Sequence, residues 1–310
     1  MPGLKSDAYD RRDFIKLSAA AGLALTVPSI GGAQLPRMAT RPILVTGEQL
    51  PVIGLGMSDE FETMPTDDGA LLRRVIMTLV EQGGRLVDTA PGYGDSERVL
   101  GRYLSEWDLS DTLFVSTKVK TTGVQRGLES LARSQKLLRK HPLDLMLVHS
   151  LEDVLTQLQN LRDWQEAGNV RLIGVTTANS MGYDFIEELV NAGRCDVIQM
   201  DYSVVSTLAE ERLIPAAAEH GVAVIINSAF GNGGYFSRLR GRELPPWASE
   251  FGCDSWAQFS LKYILGNPGV TCVLTATSNP EHMLDNAGAG IGPLPDEQTR
   301  RRMAAHLRDI

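Results

Sequence analysis

The chain is poor in cysteine, has no excess of positive charge and, past its first 33 residues, lacks any long apolar run. Its three cysteines, Cys195, Cys253 and Cys272, are too few and too scattered for a disulfide framework or a zinc centre, and they read as isolated thiols. Lys and Arg number 30 against 38 Asp and Glu, a formal charge of −8. That balance excludes nucleic-acid binding through a general basic surface, although a phosphorylated ligand can still be held locally. No segment beyond the N-terminus is long and apolar enough to cross a bilayer. Low-complexity linkers are missing, and so are internal repeats beyond a strand–helix rhythm. The 310 residues fit one large domain.

The N-terminus carries a separate message. Arg11-Arg12-Asp-Phe-Ile-Lys16 precedes the Ala/Gly-rich stretch LSAAAGLALTVPSIGGA, a pattern that resembles a twin-arginine (Tat) export signal with cleavage after Ala33. Pro28 and weak hydropathy argue against a stable membrane span there. The expectation is a signal over residues 1–33, the Tat machinery as a partner, and a periplasmic or exported mature chain of residues 34–310. The competing reading is an uncut tail or tether on a cytoplasmic protein. Cleavage removes four basic and three acidic side chains and leaves 26 Lys and Arg against 35 Asp and Glu, a formal charge of −9. Three unpaired thiols suit a protein that folds in the reducing cytoplasm before export.

Short apolar runs recur near residues 52–56, 85–89, 113–118, 144–149, 171–176, 196–200, 222–227 and 271–275. Most are separated by amphipathic helical patterns such as SERVLGRYLSEW, VQRGLESLARSQKLLRK and AEERLIPAAAEHG. Eight buried parallel strands alternating with helices predict a single-domain (β/α)8 barrel. Residues 40–51, with Thr46-Gly-Glu at the turn, predict a small hairpin capping the bottom of that barrel.

Polar residues of particular types follow these runs. Asp88 and Tyr93 lie in DTAPGYGDSE, Lys118 ends LFVSTK, and His149 ends LDLMLVH. Singly, each has an ordinary structural reading as a cap, a solvated charge or a satisfied imidazole. Together, at one rim of a barrel, they suit proton transfer. A phenol, with an ordinary pKa near 10, becomes a better acid beside an ammonium, a carboxylate orients that ammonium, and an imidazole can hold the substrate oxygen.

Gly84 through Glu97 meets without a gap the signature of the aldo-keto reductase superfamily, and the similarity runs from about Val45 to Asn286. The chain is therefore identified as resembling that superfamily. The resemblance implies a general acid/base at Tyr93, with Asp88, Lys118 and His149 completing a tetrad. It also implies a nicotinamide cofactor, NADPH by default with NADH possible, and no metal. Its cofactor-binding positions fall here on Gly56, Met57, Thr176, Thr177, Gln199, Asn227, Ser228, Phe230, Gly231, Thr277, His282 and Asn286. Several depart from the usual pattern. Thr177 lacks the customary carboxamide, Asn227 stands where an aromatic ring commonly stacks on the nicotinamide, and Ala276 and His282 replace cations that hold a 2′-phosphate.

For the substrate, the resemblance points to Met57, Ser58, Phe61, Pro91 and Leu151, and to a longer segment with Tyr235, Phe236, Arg238, Arg240, Arg242 and Trp247. The expected activity is reduction of an aldehyde or ketone to an alcohol, or the reverse. A second expectation is a nicotinamide-binding sensor or partner protein of the same fold with little turnover. A lyase or hydrolase on the same scaffold would need metal ligands or a carboxylate pair at the strand ends, and neither arrangement is found. No obligate protein partner is evident.

Overall fold

The computed structural model describes residues 37–57, 69–231 and 234–308. The export signal expected over residues 1–33, and the segment with Ser58 and Phe61, lie outside the described residues. An antiparallel hairpin comes first, β1 (Thr40–Ile43) and β2 (Glu48–Pro51), turning at Gly47, whose φ of +72° favours glycine. Eight parallel strands follow: β3 (Ile53–Gly56), β4 (Leu86–Asp88), β5 (Phe114–Val119), β6 (Leu143–His149), β7 (Val170–Thr176), β8 (Val197–Asp201), β9 (Ala223–Asn227) and β10 (Cys272–Ala276). Because β10 pairs with both β9 and β3, the sheet closes, giving the single-domain barrel that the strand rhythm predicts.

The covering helices are α1 (Gly69–Glu81), α2 (Ser96–Glu106), α3 (Val124–Leu138), α4 (Val154–Glu166), α5 (Tyr183–Asn191), α6 (Leu213–Glu219), α7 (Gly234–Leu239), α8 (Trp256–Leu265), α9 (Pro280–Gly288) and α10 (Glu297–Arg308). The helix expected over residues 209–221 is split into a 3₁₀ turn, Leu208–Glu210, and α6. Pro215 explains the break: it has no N–H and its ring obstructs the carbonyl four residues back, so it sits in the first turn of a new helix. The short α7 forms because Tyr235 and Leu239, one turn apart, bury the same face.

Inward-pointing residues change character along the barrel axis. Leu86, Phe114, Leu145, Leu172, Val197, Ala223 and Cys272 form one apolar cluster with Ile43 and Leu50 of the hairpin, which plugs the N-terminal end. Side chains two residues apart share a face, so the same strands present Asp88, Lys118, His149, Thr176, Gln199 and Asn227 at the C-terminal end. The plug is fixed by charge as well as packing. Glu48 pairs with Arg85 at 3.3 Å and with Arg171, while the Arg41 guanidinium donates to the carbonyls of Leu265 at the end of α8 and of Asn267 and Val270 beyond it.

Helices α2 and α3 cross at Gly101, where an added Cβ would come within 2.0 Å of the Leu137 carbonyl oxygen. Gly101→Ala improves helix propensity by about 1 kcal/mol, yet it should destabilise the protein by about 1–3 kcal/mol, because the obstacle is backbone. Urea unfolding of the two proteins measures the sign.

Candidate active site

The C-terminal mouth is assembled by register. Gly56, Asp88 and Ser116 lie in one rank across β3, β4 and β5, and His149, Thr176 and Gln199 in another across β6, β7 and β8. Two residues beyond Ser116 on the same face, Lys118 donates to Asp88 Oδ2 at 2.5 Å and to the Thr89 carbonyl at 2.9 Å. Both partners of the ion pair are almost wholly buried, at 2% and 4% exposure. The other Asp88 oxygen accepts from Gln199 Nε2 at 3.2 Å, and Gln199 Oε1 accepts from Thr176 Oγ1 at 2.9 Å. Asp88, Lys118, Gln199 and Thr176 thus form one hydrogen-bonded chain across the barrel.

Tyr93 comes from the turn after β4, where its N–H meets the Ala90 carbonyl at 3.0 Å and its carbonyl accepts the Ser96 N–H at 3.0 Å. The turn is braced from behind. Thr89 and Ser96 share a hydroxyl–hydroxyl hydrogen bond of 2.6 Å, and the buried Glu97 accepts from Thr117 at 2.7 Å. Burial pushes the Glu97 carboxyl above its ordinary value against that hydrogen bond. So placed, the Tyr93 ring centre lies 5.2 Å from Lys118 Nζ and meets the His149 ring edge-on at 6.4 Å.

His149 is held neutral. Desolvation and the charges of Lys118 and Lys120 push its pKa down to about 4, with Asp88 opposing. Tyr93, Lys118 and neutral His149 therefore face one cavity of about 160 Å³, beside Asp88, Gly56, Met57, Thr176, Thr177, Gln199, Asn227 and Ser228. The tetrad and seven of the twelve expected cofactor positions come together there. Ser150, Ala178 and Leu274 also line it. Leu274 could have been found by stepping two residues back from Ala276 on an inward-facing strand; Ser150 carries no sequence signal.

A larger groove of about 590 Å³ lies further along β10 and α9, lined by Phe230, Phe236, Trp256, Ala276, Thr277, His282, Asp285 and Asn286 among others. Four more expected cofactor positions fall there, so Phe230 belongs to this groove rather than to the cavity that Tyr93 lines. Gly231 lines neither; it is an exposed turn residue with φ +55°. The aromatic lining suits a flat heteroaromatic ring, and Asn227 brings the buried, unpartnered acceptor Oδ1 to the lining of the catalytic cavity. A dinucleotide extending from one cavity to the other fits these residues. No Lys or Arg is among the described lining of either cavity except Lys118.

Several expected substrate residues are placed elsewhere. Trp247 packs on Phe251, Phe259, His306 and the Arg302 guanidinium, because the segment before α8 folds back onto the C-terminal helix. Tyr235 is buried under Phe230 and Phe236 and donates to the Trp256 carbonyl at 3.2 Å. Arg238, Arg240 and Arg242 are exposed and, like Pro91 and Leu151, do not line the catalytic cavity.

Residues 52–306 match the Aldo/keto reductase family. The chain belongs to that family. Among relatives, the NADH-specific methylglyoxal reductase of Escherichia coli is 27% identical over 202 residues, covering 54% of this chain and 60% of that protein. The family fold is shared with solved structures of low identity. An aldo-keto reductase from Bacillus halodurans in holo form superposes with a TM-score of 0.70 at 20% identity, over 87% of this chain and 96% of that one. One from Klebsiella pneumoniae in complex with NADPH gives 0.68 at 19% identity, over 88% and 95%. Among the described residues no helix is long and apolar enough to cross a membrane, and no group of three or more His, Cys, Asp or Glu side chains could hold a metal.

The depressed His149 pKa fixes a pH dependence of stability. Between about 6.5, its ordinary value, and about 4, the unfolded chain holds a proton that the folded one does not, so this contribution is lost as pH falls through that interval and levels off below it. In His149→Gln, urea midpoints measured from pH 7.5 down to 4 should decline less steeply than in the parent.

Proposed function

We propose that the protein is a nicotinamide-dependent oxidoreductase that interconverts a small aldehyde or ketone and its alcohol, with Tyr93 as the proton donor and acceptor. The observation that carries this reading is the buried Asp88–Lys118 pair beside the Tyr93 ring, facing a cavity shared with His149. A reduced nicotinamide, when bound by these residues, would supply the hydride. As the carbonyl carbon is reduced, negative charge grows on its oxygen, and the Tyr93 hydroxyl delivers a proton there. The Lys118 ammonium stabilises the resulting phenolate charge, Asp88 keeps that ammonium in place, and neutral His149 offers an N–H to the same oxygen without adding another positive charge.

The cofactor positions would be shared between the cavities. Thr176, Thr177, Gln199 and Asn227 would meet the nicotinamide end, with Gly56, Met57 and Ser228 beside it. Phe230, Thr277, His282 and Asn286 would meet the adenosine end. The E. coli relative is named for NADH and the Klebsiella structure holds NADPH. Here the adenosine end offers Asp285 and His282 and no Lys or Arg, so both cofactors fit and a 2′-phosphate gains little.

The twin arginine at Arg11-Arg12 and the small-residue end at Ala33 support export by the Tat route, with residues 34–310 as the mature enzyme loaded with cofactor before crossing. Amino-terminal sequencing of periplasmic material should begin at Gln34; full-length protein confined to the cytoplasm would overturn that assignment.

Tyr93→Phe should lower kcat by on the order of a hundredfold or more while leaving NADPH and NADH affinity, read by fluorescence titration, nearly unchanged. Unaltered turnover would remove Tyr93 from the mechanism. The double substitution Ala276→Lys with His282→Arg should tighten NADPH by roughly tenfold or more relative to NADH, the size expected of charge-assisted phosphate contacts.

A further inference from the structure

We propose that Ser150 is a positioning residue, holding the His149 imidazole with its Nε2–H directed into the reaction cavity; the role assigned to that N–H rests on the carbonyl-reduction reading. Ser150 Oγ lies 2.6 Å from His149 Nδ1. Consecutive side chains on a strand point to opposite faces, so a residue directly after an inward-facing one would ordinarily turn away from it. Ser150 escapes that geometry by adopting φ +53°.

The left-handed backbone is concentrated at this place. Six non-glycine residues among those described have positive φ, and three of them, Ser150, Leu151 at +59° and Asp153 at +46°, follow His149 within four residues. Each such residue is strained and persists where the surroundings impose it. Here the surroundings do so. The Glu152 N–H donates to the His149 carbonyl at 3.2 Å, and Asp153 Oδ2 accepts from the Gly123 N–H at 2.7 Å and from Gln157 at 3.3 Å. Leu151 is seated against Gly182, where an added Cβ would fall 2.6 Å from its Cδ1. The segment is braced on both flanks, and the result is a hydroxyl against one nitrogen of the site histidine.

A neutral imidazole carries a single N–H, and a serine hydroxyl can either donate to Nδ1 or accept from it. When the Ser150 hydroxyl donates to Nδ1, the proton resides on Nε2. A carbonyl oxygen is an acceptor, so only this tautomer offers it a donor; the other would set a lone pair against it.

The test uses the full chain labelled with ¹⁵N-histidine, the His149 resonances being assigned by their loss in His149→Gln. At pH 7 the wild type should show the Nε2–H tautomer. Ser150→Ala and Ser150→Gly should each show mixed tautomers, with kcat lowered roughly tenfold and cofactor affinity unchanged. The glycine variant accepts the left-handed backbone without strain, so it separates loss of the hydroxyl from loss of the fold. An Nδ1–H tautomer in the wild type, or an unaltered tautomer and kcat in both variants, would overturn the proposal. Absence of turnover in the wild type would instead defeat the carbonyl-reduction reading, while the tautomer ratios would still decide whether Ser150 orients His149.

Discussion

The mouth of the barrel depends on one buried ion pair. Removing Asp88 and Lys118 from water carries a desolvation cost that their attraction offsets only when the remaining donors and acceptors are also satisfied. Here the ammonium finds the Thr89 carbonyl as well as the carboxylate, and the second carboxylate oxygen takes the Gln199 amide. Gln199 is in turn aligned by Thr176, so strands β4, β5, β7 and β8 are cross-linked by polar contacts at the level where the chemistry is proposed. The Lys118 ammonium gives Tyr93 a fixed positive neighbour, while burial first, then the charges of Lys118 and Lys120 against the opposing Asp88, leaves His149 neutral.

The scaffold makes that arrangement affordable by separating two environments along one axis. Apolar inward residues and the hairpin close the lower end, while the charges that fix the hairpin lie at its periphery on Glu48, Arg85, Arg171 and Arg41. The polar rank above then rests on a packed floor rather than on solvent. Behind the mouth, Glu97 and Ser96 tie the Tyr93 turn to β4 and β5, which accounts physically for a Ser-Glu pair ending the signature stretch.

Much of this was legible in the sequence because buried parallel strands announce themselves as apolar runs and the polar residues terminating them share an edge. Asp88, Tyr93, Lys118 and His149 stand out that way as a group, each at or just after the end of such a run. Other features left no such mark. Trp247 and Trp256 are both aromatic residues of one segment, yet only Trp256 reaches the groove; which one does so is decided by how that segment packs on α10. Asp285 is an ordinary helical acid until α9 places it against Ser255 and Gln258. Ser150 is invisible as a partner of His149 without its left-handed backbone, a conformation that tertiary braces impose and local propensity opposes.

On the proposed mechanism, Asp88 and Lys118 act as one unit on Tyr93. A double-mutant cycle on single-turnover reduction, comparing Asp88→Asn, Lys118→Met and the two combined, each with its cofactor affinity measured alongside, tests it most directly. The combined variant should be scarcely slower than Lys118→Met alone, since toward Tyr93 the carboxylate acts only through the ammonium, its contact with Gln199 being read out by the cofactor affinity. Losses that multiply, with affinity and fold retained, would show two independent contributions and contradict it.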